Sequence, residues 1–222
     1  METDEQQRVI AAAEKMVKAQ LAAEGTGHDW YHIERVRHMA SRLAQEEGAD
    51  QFIAELAALL HNSADWKIVG VENENAAHDK LEEWLTNQSI PDDKVQHIVS
   101  IIRDQSFAAS GVEHKKLPTP EGQVVQDADR LDALGAIGIA RCFAYGGKRG
   151  RLLYDPHEKP RAHITADEYR TSKSTSVNHF YEKLFKLADL MNTKTGKAIA
   201  KKRHGFMEKY LEQFFAEWHG KV

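Results

Sequence analysis

The chain has a single cysteine among its 222 residues, Cys142. An internal disulfide is therefore excluded, and a reducing compartment is its simplest home. No apolar run approaches the roughly 18 residues of a membrane span. Net charge is −4, from 30 basic and 34 acidic side chains, so no overall nucleic-acid footprint is present. The sequence also lacks strong period-2 alternation, internal repeats and a clear domain boundary. Its N-terminus, "METDEQQRVIAAAEKMVKAQ", is charged and amphipathic without the apolar core of a signal peptide. These absences lead us to expect a cytoplasmic protein with neither nucleic acid nor membrane as partner.

What the sequence does contain is helical periodicity. A first helix is expected over about 4–24, with Val9, Ala13, Met16, Val17 and Leu21 on one face. Asp29 can cap a second, striped by Ile33, Val36, Ala40, Leu43 and Ala44 and ended by Gly48. Asp50 can cap a third, apolar nearly all round and so expected at the centre. A fourth is expected over about 74–87, and a fifth begins near Pro91. A sixth, over about 121–144, is rich in Gly and Ala. Two more are expected over about 177–191 and 195–218. The expected class is all-α, one domain over 1–222. Its helical core spans about 4–144, followed by an irregular segment and helices over about 145–218.

Polar clusters interrupt the core-facing surfaces. In "HDWYHIERV", His28 and His32 are four apart and share a face. In "LLHNSADWK", His61 and Asn62 stand where the apolar run should continue, and Asp65 follows four residues after His61. In "VVQDADRLDALG", Asp129 and Asp132 share a face while Asp127 points elsewhere. Taken singly, each has an ordinary explanation: a core histidine bonded to backbone, a helix end, an ion pair with a neighbouring arginine. Burying several together in a helical core is costly unless they share a partner. A divalent cation satisfies imidazole nitrogens and carboxylate oxygens at once.

The segments "HIERV", "LLHNSADWK" and "QDADRLDALGAIGIAR" resemble the HD-domain metal-dependent phosphohydrolase superfamily. "RCFAYGGKRGRLLYDP" and "SVNHFYEKLFKLADLMNTKTGKAIAKKRHGFM" extend the resemblance to its bacterial YpgQ/YedJ-like branch and to nearly the whole chain. The resemblance implies His32, His61 and Asp129 as ligands of one divalent metal ion (Mn, Mg, Ni, Co or Fe). It places the aspartate of the family's His-Asp pair on Asn62. A neutral carbonyl oxygen then replaces a carboxylate, and the site loses a negative charge. A weakened enzyme, an altered sequence and a natural variant that exchanged catalysis for binding all stay open.

The implied chemistry is hydrolysis of a phosphate ester or anhydride. Asp65 resembles the acidic position that assists water or the leaving group, with a bond to a ligand histidine as its ordinary alternative. His28 divides between a phosphate contact and a structural role. Arg35, the "GGKRGR" residues Lys148, Arg149 and Arg151, and Lys183 are candidate phosphate contacts. A solvated basic loop is the plainer account of the "GGKRGR" stretch. Trp66, Phe107 and Tyr145 could wall a base, but core packing explains each equally well. Arg130 is expected to anchor its helix by an ion pair. The favoured function is a nucleoside triphosphate pyrophosphohydrolase. A phosphatase of nucleoside monophosphates or small phosphate esters, and a non-catalytic metal- or nucleotide-binding protein, are the alternatives. A homodimer is left open.

Overall fold

The computed structural model describes residues 1–21, 29–64, 70–108, 116–161 and 174–222. Every regular element among them is helical, as the periodicity implied. None of these helices is long and apolar enough to cross a membrane. The chain divides into two compact units, Met1–Asp129 and Arg130–Val222.

The first unit opens with α1, Thr3–Gln20, whose N-terminus is closed by a reciprocal capping box between Glu2 and Glu5. In α2, Trp30–Glu47, Asp29 Oδ1 accepts from the His32 backbone N–H at 3.0 Å. Gly48 ends that helix at φ +74°, the left-handed conformation a glycine adopts without strain. Asp50 caps α3, Gln51–Leu60, by accepting from the Ile53 N–H at 3.1 Å. Eight of the ten α3 residues are buried, so α3 is the central helix, packed against α1, α2 and α5 (Asp92–Ala108). Arg37 of α2 forks between Glu55 of α3, at 2.7 Å, and Glu14 of α1, at 3.0 Å. A 3₁₀ turn, Val71–Asn73, leads into α4, Glu74–Thr86, which packs on α5. The helix α6, Pro120–Asp132, carries the unit to its end at Asp129.

Two contacts set the register of this unit. Lys94 Nζ at the start of α5 donates to Asp50 Oδ2 at 2.8 Å. Glu121 Oε1 at the start of α6 accepts from the Asp50 N–H, also at 2.8 Å. The helices α3, α5 and α6 therefore start from one end of the unit. Residues two to three turns further on come level with one another at the other end.

The second unit contains α7, Gly135–Lys148. A single helix over 121–144 was expected, but α6 stops at Asp132 and α7 starts at Gly135. Between them Leu134 is extended and Gly135 takes φ +75°. A Cβ on Gly138 would lie 2.2 Å from the Ala133 carbonyl oxygen, so this glycine is what lets the chain turn back on itself. The Gly/Ala richness of the stretch thus serves a bend as well as helix packing. The bend is pinned by Arg141 on Asp132 at 2.7 Å, and by Arg203, which donates to the Leu131 carbonyl.

Thr175 caps α8, Ser176–His179, which widens into a π-helical turn, Phe180–Leu184, and closes as Phe185–Leu187. The expected helix over 177–191 is thus shorter at its C-terminal end. Arg130 donates to the Leu190 carbonyl. Thr193 caps α9, Lys194–Trp218. Phe143 of α7, Phe180 of the π turn and Tyr210 of α9 form a ring cluster at 6.0–6.2 Å between centroids.

Candidate metal centre

The geometry of the first unit brings together three of the residues singled out from sequence. His32 is held on the inner face of α2 by the stripe that buries Ile33 and Val36, and is itself 1% exposed. His61 follows α3 directly and is 5% exposed. Asp129, eight residues after Glu121 on α6, is partly exposed. His32 Nε2 lies 3.6 Å from Asp129 Oδ1, and His61 Nε2 lies 3.8 Å from the same oxygen. The two imidazoles meet edge to face, 5.4 Å between centroids. One ligating atom from each of the three lies within 4.8 Å of the others.

The orientation of His61 is fixed by α3 itself. Its Nδ1 lies 2.7 Å from the Ala58 carbonyl oxygen. A carbonyl only accepts, so Nδ1 carries the proton and Nε2 of the neutral ring keeps its lone pair. That lone pair faces Asp129. Nε2 is buried and has no hydrogen-bond partner. At 3.8 Å, protonating it would give an ion pair too long for a hydrogen bond. Two ligands at 2.1 Å from a tetrahedral ion lie about 3.4 Å apart, close to the 3.6 and 3.8 Å found here. The set suits a divalent ion by donor type, by spacing and by the orphaned nitrogen. An imidazole tied to a carbonyl through its other nitrogen is also how proteins hold a ligand histidine in place.

The comparisons agree. The HD domain family matches residues 29–134, a span that contains His32, His61 and Asp129. The uncharacterized protein YpgQ of Bacillus subtilis is 35% identical over 89% of this chain and 87% of its own length. The chain belongs to the HD-domain superfamily. A Lactobacillus plantarum protein of known structure is 44% identical, with a TM-score of 0.82 and 99% of this chain and 100% of that one covered. An HD-superfamily hydrolase from Bacillus thuringiensis is 45% identical, with a TM-score of 0.76 and 96% and 98% covered. The structure of B. subtilis YpgQ in complex with ADP matches with a TM-score of 0.76 at 33% identity, 96% of each chain covered. The fold is that of the HD-superfamily hydrolases, which are metal-dependent.

Within this HD domain, Asn62 is buried beside His61, and its Nδ2 lacks a hydrogen-bond partner. The neighbouring Ser63 Oγ is also buried and unpartnered. Arg35 lies one turn after His32 on α2 and is partly buried. His28, Asp65 and Trp66 lie outside the described residues, as does the side chain of Phe107.

The remaining basic candidates belong to the second unit. Lys148 ends α7. The guanidinium groups of Arg149 and Arg151 lie 5.4 and 5.7 Å from the Tyr145 ring centre, and Arg149 Nε donates to the Tyr145 hydroxyl. Tyr145 is therefore a platform for two arginines. Lys183 sits in the π turn, one turn after His179. Burial first, then the nearby Lys183 and Arg151 charges, pushes His179 down to about 3. Cys142 is half-buried, and the desolvation pushes its thiol up to about 12.

Two buried polar side chains of the first unit were missed from sequence: His78 on α4, whose Nδ1 has no hydrogen-bond partner, and Gln105. Gln105 is buried on α5, and neither its Nε2 nor its Oε1 has a hydrogen-bond partner. Its signal was a glutamine in register with the apolar stripe Val95, Ile98 and Ile102.

Proposed function

We propose that this chain is a metal-dependent phosphohydrolase of nucleotides, cleaving a nucleoside triphosphate to the monophosphate and pyrophosphate. The convergence of His32, His61 and Asp129, with the His61 lone pair aimed at the carboxylate, carries this reading. The ADP complex of B. subtilis YpgQ supports a nucleotide as the ligand class.

In this reading His32, His61 and Asp129 hold one divalent ion, Mn, Mg, Ni, Co or Fe, with the Asn62 side-chain carbonyl as a neutral fourth donor. When bound, the ion supplies a Lewis acid for phosphoryl oxygens and lowers the pKa of water at the site. The Ala58 carbonyl keeps the His61 ring in one tautomer, so no proton has to leave the ligating nitrogen. Asp65 takes the proton from the attacking water or assists the leaving group. His28 and Arg35 contact phosphate, and we assign the same role to Lys148, Arg149, Arg151 and Lys183. A single domain over 1–222, a cytoplasmic home and a homodimer belong to the same reading.

A second reading has one observation in its favour. Asn62 leaves the centre a negative charge short of the family pattern, as a protein that binds a metal or nucleotide without turning it over would tolerate. A nucleotide screen with each of the five metals, detecting phosphate and pyrophosphate separately, decides among these readings. Pyrophosphate from triphosphates supports the first. Phosphate from monophosphates or simple esters alone supports the phosphatase alternative. Metal uptake without any turnover supports the binding protein.

A further inference from the structure

The first unit holds more unmet polar groups than one ion satisfies. His61 Nε2, Asn62 Nδ2 and Ser63 Oγ are all buried without hydrogen-bond partners, and so are both amide atoms of Gln105. An unsatisfied buried amide costs about 1–3 kcal/mol, so a whole amide left bare calls for an explanation.

Helix register tells where Gln105 lies. Lys94 on α5 is bound to Asp50 at the start of α3, and the two helices pack along one another. Gln105 is eleven residues beyond Lys94, and His61 is eleven beyond Asp50. Each interval is about 16 Å of helix, so Gln105 arrives level with His61. A third helix ends nearby: α6 leaves Asp50 at Glu121 and, about 12 Å further on, delivers Asp129 to within 3.8 Å of His61 Nε2. Gln105 continues the buried stripe Val95–Ile98–Ile102 that faces inward.

We infer that Gln105 is a substrate-positioning residue of this centre, its amide hydrogen-bonding a phosphate group held there. The chemistry follows from the amide. Nε2 can donate to a phosphoryl oxygen, as can Asn62 Nδ2. Oε1 accepts a proton from water or from a protonated phosphate oxygen. A neutral amide can do this without adding charge to the ion's surroundings. The inference rests on the phosphohydrolase reading and deepens it: the ligand class is a phosphate compound, read by neutral donors as well as by the ion.

The test uses the full chain, Gln105→Met, which conserves volume, and Gln105→Glu. Three quantities are measured on each: Mn²⁺ affinity, ADP and pyrophosphate affinity of the Mn²⁺-loaded protein by calorimetry, and the metal-free melting temperature. For Gln105→Met we expect Mn²⁺ affinity within about twofold of the parent and an ADP affinity at least about tenfold weaker, the loss of a hydrogen bond to a charged group. We also expect an unchanged or higher melting temperature, because a bare buried amide has been removed. Gln105→Glu should weaken ADP further, by placing a carboxylate against phosphate. A lower melting temperature with unchanged ADP and pyrophosphate affinity would make Gln105 a structural residue and overturn the inference. A loss of Mn²⁺ affinity equal to the loss of ADP affinity would make it a metal ligand and overturn it too. If the unsubstituted protein binds neither ADP nor pyrophosphate with Mn²⁺, the phosphohydrolase reading falls and takes this inference with it.

Discussion

Replacing Asn62 by aspartate restores the charge that the family pattern places beside His61. Asn62 is 5% exposed, so water screens it poorly. A unit charge about 4 Å from another is worth about 4 kcal/mol at an effective dielectric of 20, and about twice that against a dication. Desolvating a carboxylate returns several kcal/mol of this. The surplus should exceed about 1.4 kcal/mol, or tenfold in the metal dissociation constant. Without metal the sign reverses, because the new carboxylate stands near Asp129 with no cation between them. Asn62→Asp should therefore melt below the parent when metal-free and gain more on adding Mn²⁺, with tenfold tighter binding adding about 1.4 kcal/mol at saturation. Phosphate or pyrophosphate release should rise at least about tenfold. Calorimetric Mn²⁺ titration, melting with and without Mn²⁺, and product detection read the three effects. Unchanged affinity and unchanged rate would refute the placement of Asn62 at the ion. Tighter binding with no hydrolysis of any phosphate compound would refute the hydrolase reading instead.

Further outcomes are expected. His61→Ala should abolish stoichiometric metal binding while far-ultraviolet circular dichroism stays helical; retained metal would mean the centre lies elsewhere. Lys148→Ala combined with Arg149→Ala should raise KM for a triphosphate more than for a simple phosphate ester at fixed ionic strength, and equal KM values would return this stretch to a solvated basic loop. Gly138→Ala should cost about 1–3 kcal/mol in urea unfolding, because its Cβ would meet the Ala133 carbonyl at 2.2 Å; an unchanged midpoint would show that the bend yields freely. His179 should make stability fall with acid: its folded pKa of about 3 lies below the ordinary histidine value of 6.5, so the unfolded chain takes up the proton first. This contribution is complete above about pH 6.5 and is lost progressively as pH drops towards 3. His179→Asn should flatten that part of the pH–stability curve, and an identical curve would mean the ring is not held neutral.

Much of the fold was legible because its punctuation is local. Asp29, Gly48 and Asp50 act where their chemistry says they should, and the all-apolar third helix is central. The bend at Ala133–Gly138 was not legible. A glycine that admits the Ala133 carbonyl, five positions earlier, looks, in sequence, like one that admits a neighbouring helix. The centre divided in the same way. His32, His61 and Asp129 stood out as polar groups on core-facing surfaces, and they converge. The tautomer of His61 depends on the Ala58 carbonyl, a backbone contact that no side-chain pattern encodes. Gln105 looked like an ordinary helical residue, since its meaning comes from the register between α3 and α5, set by the Lys94–Asp50 contact 44 positions apart in the chain.

The central claim is that one divalent ion is held by His32, His61 and Asp129. Anomalous diffraction at the manganese edge, from crystals equilibrated with Mn²⁺, tests it directly. The account requires one peak within about 2.0–2.3 Å of His32 Nε2, His61 Nε2 and an Asp129 carboxylate oxygen. A peak bound by other residues, or none at those three when Mn²⁺ saturates the protein in solution, would contradict it.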